Sequence, residues 1–357
     1  MSAAQELAVA IVGGGPAGLS LAAHLCRAKI ETLVLERGRV AESWWHYPPT
    51  MRLLSPWWTN VLETRDAFQR SPFAIAAASV YREYLLAFAA RHRLPVRERS
   101  DIVALQPHSG RWLLRSATGE AWSAACVVLA TGYFSAPREP RPAFESDHSI
   151  PVRHAATVED YDAFAAAHRG RTVVLVGKRV SAGQLMVELY RRGVRIVLSA
   201  RRPIRFRRGD AIGRLRDQVY FFWEWLRVLA QPHLHADSFP VMDGGETERL
   251  LGSGRVPLVG PIRAIAAGHV HTVDGERFPA DLILLATGYR PALSLLEGWL
   301  SLDPESGLPP MDGFGVRDCP GLYLLGFDNL YNFRSRYLRG LRADAARLAR
   351  ELKRRLR

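Results

Sequence analysis

The sequence predicts an α/β fold built from two similar units, with the second inserted into the first. Three observations predict it. A glycine-rich turn follows an apolar run at the start of the chain, and a related pattern begins near residue 171. The segment Ala-Thr-Gly-Tyr also occurs twice, at residues 130–133 and 286–289. Apolar strands that lead into turns and helices, repeated along one chain, indicate a duplicated unit of parallel strands and crossing helices.

The first glycine turn, GGGPAG at residues 13–18, has the pattern of a dinucleotide-binding turn. Gly13 makes the turn, Gly15 lets the backbone approach a pyrophosphate, and Gly18 lets helix and strand pack closely. The helix N-terminus offers free N–H groups to the phosphates. Glu36 ends the next apolar run and is placed to accept hydrogen bonds from a ribose. The predicted site at this turn comprises Gly13, Gly15, Pro16, Ala17, Gly18, Glu36 and Arg37.

The second pattern, RTVVLVGKRVSAG, is irregular. Gly177, Ser181 and Ala182 fit the first motif, but Arg179 stands where the middle glycine is expected. Either Arg179 swings out and binds a phosphate, or this site binds its nucleotide poorly, and we favour the first. The following strand ends in Ser199, Arg201 and Arg202 instead of an acid. Arginines there suit a ribose 2′-phosphate, so NADPH is favoured over NADH.

These landmarks predict two Rossmann-like dinucleotide-binding domains. Residues 1–140 start the first domain, 150–280 form the inserted one, and 281–357 complete the first. Residues 102–130 predict a β-meander with turns near Gly110 and Gly119, and Asp274-Gly275 marks a matching hairpin. An aromatic-rich stretch around 210–245 interrupts the inserted domain. Aromatic residues at helical spacing indicate core, with a lid over an aromatic or lipophilic substrate as the alternative.

Composition narrows the class of protein. The 357 residues are 48% hydrophobic and 23% charged, and no apolar run is long enough to span a membrane. Without a secretory signal at the N-terminus, we expect a cytoplasmic protein. The net charge of +13 comes almost entirely from arginine, and we predict no nucleic-acid partner. The C-terminal RADAARLARELKRRLR predicts an amphipathic helix whose basic face is solvated, with contact to an anionic membrane surface as the alternative.

The three cysteines, Cys26, Cys126 and Cys319, are far apart in sequence and form no CxxC motif. This argues against a disulfide framework, a thiolate metal site and a dithiol relay, and we predict no metal. Redox chemistry would therefore need a bound cofactor.

Taken in order, several segments resemble the flavin-containing monooxygenases, in their bacterial and YUCCA-like branch, over nearly the whole chain. They are GGGPAG, the acid at Glu36, Ser-Trp-Trp at 43–45, MRLLSP at 51–56, the second glycine motif and both ATGY segments. The resemblance implies FAD on the first motif, NADPH on the second and O₂ as cosubstrate. It implies further FAD contacts at Trp44, Trp45, Arg52, Val103, Thr131, Gly132, Gly326 and Asp328. The family's fingerprint before the second motif survives as Phe144, His154 and Tyr161, and Asn60 lies near, not at, the place of an active-site asparagine.

The resemblance implies a monooxygenase acting on a small aromatic or lipophilic metabolite. NADPH would reduce the flavin, and a flavin C4a-hydroperoxide would hydroxylate a nitrogen or sulfur atom. Oxidative decarboxylation or Baeyer–Villiger chemistry on the same scaffold, an NADPH-dependent flavin reductase or oxidase, and a non-catalytic flavoprotein are the alternatives. The candidate catalytic residues near the flavin are Trp45, Arg52 and Asn60, and the oligomeric state is left open.

Overall fold

The computed structural model describes residues 4–139, 144–201, 203–207, 211–235, 241–243 and 245–357, with backbone alone at 207, 211–218, 241 and 243. Strands and helices are numbered in chain order. The strands are β1 (Gln5–Val12), β2 (Thr32–Leu35), β3 (Val96–Arg97), β4 (Ile102–His108), β5 (Arg111–Ser116), β6 (Ala121–Leu129), β7 (Glu145–Ser146), β8 (Val152–His154), β9 (Thr172–Val176), β10 (Arg195–Ser199), β11 (Arg205–Arg207), β12 (Val241–Asp243), β13 (Leu258–Val259), β14 (Ile262–Ala266), β15 (His269–Thr272), β16 (Arg277–Pro279), β17 (Leu282–Leu285), β18 (Met311–Asp312), β19 (Gly315–Val316) and β20 (Leu322–Leu324). The helices are α1 (Pro16–Arg27), α2 (Glu42–Trp45), α3 (Trp57–Asn60), α4 (Ala78–Arg91), α5 (Tyr161–His168), α6 (Val180–Arg191), α7 (Ala211–Ala230), α8 (Glu246–Gly252) and α9 (Leu338–Arg355).

The first sheet has the order β18-β19-β20-β6-β1-β2-β3, and β4 and β5 extend it from β6 as an antiparallel meander. Strand β1 lies between β2 and β6 and is parallel to both. Parallel strands covered on both faces are apolar throughout, and Val9, Ala10 and Ile11 are fully buried. Helices α1 and α9 pack against each other. The meander is the one predicted from residues 102–130.

The second sheet is parallel throughout, in the order β13-β10-β9-β17-β8. Strand β17, which lies between β9 and β8, corrects one predicted boundary. The sequence predicts residues 282–285 in the part of the chain that completes the first domain. In the structure they pair instead with β9 and β8 of the second sheet. All four side chains are buried, because the strand is covered on both faces. The chain therefore returns to the first sheet only after Leu285.

The two ATGY segments join the sheets and run side by side. The Thr131 hydroxyl donates to the Ala292 carbonyl at 2.6 Å, and the Ala292 amide donates to the Gly132 carbonyl at 2.8 Å. In the opposite sense, the Arg138 amide donates to the Gly288 carbonyl at 2.9 Å. These backbone bonds tie the two crossover connections into one junction, so the sheets are held together at the ends of β6 and β17.

Two helices place their side chains differently from each other. The apolar face of α9 is core, with Leu348 and Leu352 fully buried, so this helix exposes charged groups alone, as expected for a solvated basic face. In α7 the predicted core location holds for Phe221, which is 6% exposed, but is wrong for Trp223 and Phe222, which are 63% and 52% exposed. In the described part of the chain no helix is both long and apolar enough to cross a membrane.

Candidate functional site

The first glycine turn has a separate steric reason for each predicted glycine. Gly13 has φ +113°, and a Cβ there would lie 2.6 Å from the Ala130 carbonyl oxygen. A Cβ at Gly18 would lie 2.0 Å from the Gly13 oxygen, so α1 can pack this closely on the turn only with glycine. At Gly15 a Cβ would meet nothing within 4 Å. The fold therefore does not need glycine at 15, and the open space beside it fits a pyrophosphate.

The N-terminus of α1 faces that open space. Its N-cap is Gly15, no side chain caps it, and the first turn carries no acid. The first N–H groups of the helix are thus available to an anion, and Pro16 fits the first position because its missing N–H costs nothing there. The loop after β20 closes over the same end: a Cβ at Gly326 would lie 3.2 Å from that of Ala17. The structure therefore brings Pro16, Ala17 and Gly326 together at this end of α1.

Glu36 lies at the end of β2 with its carboxylate 7% exposed. Its two oxygens accept the amides of Gly14, at 2.5 Å, and Gly38, at 2.9 Å. Burial raises the pKa of this carboxyl, against the opposing effect of the two hydrogen bonds. A carboxylate has about four acceptor positions, so room remains for ribose hydroxyls. Two other predicted FAD contacts are exposed to solvent: Arg37, which follows Glu36, and Val103 on β4, which is 56% exposed. The backbone carbonyl of Glu36 accepts a hydrogen bond from the Ser100 amide.

The two tryptophans do not offer ring faces to a cofactor. Trp44 is 6% exposed and packs on Tyr81, with ring centroids 4.7 Å apart, in the core between α2 and α4. The guanidinium carbons of Arg39 and Arg82 lie 3.6 and 3.9 Å from the Trp45 ring centroid. Two groups so close to one centroid must occupy opposite faces, so both faces of Trp45 are covered. The implied stacking of these rings on FAD is not what this structure presents.

Asn60 and Arg52 also have structural partners. Asn60 is fully buried; its amide donates to the Ser55 carbonyl at 2.9 Å and its Oδ1 accepts the Ser55 hydroxyl at 2.7 Å. These bonds tie the end of α3 back to Ser55, and the fully buried Asn60 side chain is not open to a substrate. Arg52 is exposed, and its backbone carbonyl accepts a hydrogen bond from the side-chain amide of Gln184 at 3.1 Å. Arg52 therefore links the first domain to α6 of the second.

A cluster at Asp328 adds two residues that the sequence did not indicate. Tyr133 donates to the Asp328 carboxylate at 3.0 Å and accepts the Asp328 amide at 2.9 Å. Arg336 pairs with the same carboxylate at 2.9 Å and lies over the Tyr133 ring. Burial is the main cause that raises the pKa of Tyr133, so its hydroxyl stays protonated. The cluster fastens the loop after β20 to the first ATGY segment, beside Thr131 and Gly132.

The second turn repeats the hydrogen bonds of the first. The Gly13 amide donates to the Leu35 carbonyl at 2.9 Å, and the Gly177 amide donates to the Ser199 carbonyl at 3.0 Å. In the same way, the Ala130 amide donates to Val12 and the Ala286 amide to Val176, each at 2.8 Å. Both halves therefore share one register, from the glycine turn to the ATGY strand.

This register assigns the residues of the second turn. Ala200 stands where Glu36 stands in the first, followed by exposed Arg201, while Arg202 lies outside the described residues. Arg179 is the exposed N-cap of α6 in extended conformation, with no side-chain cap. Ser181 is exposed, and Ala182 is fully buried at the position of Gly18. The fold at this turn thus accepts Arg179 without strain, and its guanidinium is open to solvent.

His154 lies at the junction of the two sheets. Its Nδ1 accepts the Ala156 amide at 3.0 Å, so Nε2 carries the proton and donates to the Gly288 carbonyl at 3.0 Å. Burial lowers the pKa of His154, which keeps the ring neutral. Its ring packs against Tyr289, centroids 5.1 Å apart. His154 therefore helps to hold the second ATGY segment. Among the described residues no cluster of His, Cys, Asp or Glu could hold a metal ion.

Comparisons with known proteins agree with this arrangement. The model of the pyridine nucleotide-disulphide oxidoreductase family matches residues 10–218. Indole-3-pyruvate monooxygenase YUCCA1 of Oryza sativa subsp. japonica is 25% identical, over 96% of this chain and 90% of its own. Bacilliredoxin reductase Bdr of Bacillus subtilis is 28% identical, over 85% of this chain and 84% of its own.

A solved structure is similar over the whole length. A double mutant of the flavin monooxygenase from Stenotrophomonas maltophilia aligns with a TM-score of 0.80 at 21% identity, covering 98% of this chain and 99% of the other. This match confirms the predicted fold of two dinucleotide-binding domains. The predicted resemblance to the flavin-containing monooxygenases is confirmed by the matches together.

Proposed function

The chain belongs to the pyridine nucleotide-disulphide oxidoreductase family, and from this premise we propose that it is an FAD- and NADPH-dependent monooxygenase. It uses O₂ to oxygenate a small aromatic or lipophilic molecule at nitrogen or sulfur. The observation that carries this proposal is the repeated register of hydrogen bonds around Gly13 and Gly177. Two turns with one register, joined by paired crossover connections, suit two nucleotides that meet at the junction.

FAD belongs at the first turn. The open space at Gly15 and the uncapped start of α1 take the pyrophosphate, and Glu36 takes the ribose of the adenosine. The loop fixed by Tyr133, Asp328 and Arg336 then lies at the flavin end. When bound, the flavin supplies hydride acceptance from the nicotinamide and the reaction with O₂.

NADPH belongs at the second turn. Ala200 in place of an acid removes the repulsion that a 2′-phosphate would meet at the position of Glu36, and Arg201 supplies a cation beside it. Arg179 is exposed at the start of α6, where its guanidinium binds a pyrophosphate oxygen instead of blocking it.

The cysteines favour O₂ over a disulfide as the electron acceptor. Cys126 is fully buried in β6, Cys26 lies near the end of α1, and Cys319 follows β19; all three are free. Burial raises the pKa of each thiol. Thiol–disulfide exchange needs a thiolate, and burial disfavours the thiolate form of all three cysteines.

The chain itself contributes an uncharged aromatic surface at the junction of the two sheets. Tyr47, Phe134 and Tyr289 form a row of edge-to-face rings, with centroids 5.1 and 5.2 Å apart, along the junction between the sheets. Burial raises the pKa of Tyr47 and Tyr289, so both hydroxyls stay protonated. Phe134, in the middle of the row, is 47% exposed, so the row presents an open apolar ring surface at the place where the two nucleotides would meet.

Stopped-flow spectroscopy tests the proposal. FAD-loaded protein is reduced anaerobically with NADPH and then mixed with oxygenated buffer. We expect bleaching of the flavin, followed by a transient near-ultraviolet absorbance that precedes full reoxidation, and then a substrate screen of aromatic amines, sulfides and 2-oxo acids. Bleaching without the transient would favour the reductase that the Bdr relative suggests. No bleaching would exclude NADPH as the donor.

The 2′-phosphate contact has its own test. Arg201→Ala should raise the KM for NADPH about tenfold and leave that for NADH unchanged, since one charge-assisted hydrogen bond is lost. Arg205→Ala, which removes another exposed arginine a few residues away, is the matched control. Equal effects of Arg201→Ala on both nucleotides would contradict the assignment.

A further inference from the structure

Helix α7 exposes large apolar side chains on the face where a surface helix ordinarily carries polar ones. Its outer face consists of Val219, Phe222, Trp223, Trp225, Leu226 and Leu229. Five of these six are between 43% and 63% exposed, and Leu226 is half-buried. The Phe222 and Trp225 rings lie 6.0 Å apart, so the face is continuous. A solvated helix would place polar residues here.

The acidic residue Glu224, by contrast, lies on the inner face of α7. Glu224 is 5% exposed and forms a two-pronged ion pair with Arg339, at 2.7 and 3.0 Å. Phe221 and Val228, three residues before and four after Glu224, are buried beside it. The Phe333 amide also donates to Leu234 just past the helix. Because these contacts fix the inner face against the first domain, α7 cannot rotate to bury its aromatic side chains.

Charge around the outer face is positive. Between residues 219 and 230 the buried Glu224 is the one acid, and Arg227 is exposed at the margin of the face. The whole chain carries +13. Tryptophan and phenylalanine beside arginine is the composition of surfaces that lie in the interface of a lipid bilayer.

We propose that the α7 outer face binds the surface of an anionic bilayer, with its aromatic side chains among the headgroups and Arg227 on a lipid phosphate. A second copy of the chain suits this face less well. A symmetric interface would press the patch against itself and bring the Arg227 side chains of two cationic molecules together. An anionic lipid surface neutralises the same positive charge.

Vesicle co-sedimentation with the FAD-loaded full chain tests the proposal. The vesicles contain either phosphatidylcholine alone or phosphatidylcholine and phosphatidylglycerol in equal parts. We expect binding to the anionic vesicles that weakens with salt. Trp223→Ser and Leu229→Ser, tested separately, should each weaken binding about tenfold, because each removes one large apolar group from the interface. Arg227→Gln should weaken it about fivefold.

The controls distinguish binding through the α7 outer face from nonspecific adsorption through other exposed apolar residues. Phe68→Ser removes an aromatic residue that is 81% exposed on the first domain, and it should leave vesicle binding unchanged. Circular dichroism verifies that each variant is folded. The proposal is overturned if neither vesicle binds, if Phe68→Ser weakens binding as much as Trp223→Ser, or if light scattering shows a dimer that Trp223→Ser dissociates.

Discussion

Replacing Gly15 by alanine should separate cofactor binding from folding. The residue has φ −81°, which alanine adopts freely, and the added Cβ would meet no atom within 4 Å. Alanine also lowers the entropy of the unfolded chain, so the apo protein should be stabilised by about 0.4–1 kcal/mol. The new methyl group would, however, fill the space assigned to the FAD pyrophosphate.

The loss of FAD affinity can be bounded from overpacking. Forcing one extra carbon into an occupied site costs about 1–3 kcal/mol, which is about a five- to 150-fold increase in Kd. Fluorescence titration of the apo protein with FAD measures the Kd, and thermal unfolding without FAD measures the stability.

A matched control exists in α8. Gly252→Ala also adds a methyl group to open space, far along the chain from both glycine turns. It should leave FAD affinity unchanged. The reasoning is refuted if Gly15→Ala binds FAD as the unaltered protein does, because the pyrophosphate would then lie elsewhere. A loss of apo stability in Gly15→Ala would refute the assignment of open space.

Three further variants probe folding. Gly18→Ala should destabilise even the apo protein, by about 1–3 kcal/mol in thermal unfolding, because its methyl group would collide with the Gly13 oxygen. Arg339→Leu should cost about 3–5 kcal/mol in urea denaturation, since it leaves Glu224 buried and unpaired, and Glu224→Leu in the same molecule should recover most of the loss. Because burial lowers the pKa of His154, its contribution to stability is complete above pH 6.5, the unfolded value, and is lost as the pH falls toward the lowered pKa. Denaturation from pH 8 to 5 should show a slope that His154→Gln reduces, while His24, whose pKa burial also lowers, contributes a slope of the same sign.

Each of these has a clear contrary result. An apo Gly18→Ala protein as stable as the original would mean that the turn relaxes without cost. No recovery in the double variant of Glu224 and Arg339 would show that the pair does more than cancel its own buried charges. An unchanged pH slope in His154→Gln would assign that slope to other groups.

The sequence by itself determined features that depend on a few neighbouring residues. The roles of Gly13 and Gly18 could be predicted because the sterics of a tight turn lie within that turn and the strand beside it. The repeated ATGY segments predicted a duplicated unit, because the same four residues at the ends of two strands form equivalent backbone hydrogen bonds. The apolar face of α9 followed from its helical spacing.

Only the tertiary structure decided which partner each side chain meets. Trp44 and Trp45 look alike in sequence, but one lies in the core and the other lies between two arginines. The sequence made Asn60 a candidate catalytic residue, but in the structure its hydrogen bonds join the end of α3 to Ser55. Phe222, Trp223 and Trp225 of α7 face outward because Glu224 on the opposite face pairs with Arg339, more than a hundred residues later in the chain. Spacing fixes which residues share a face, whereas the burial of that face depends on contacts between distant segments, which local pattern does not encode.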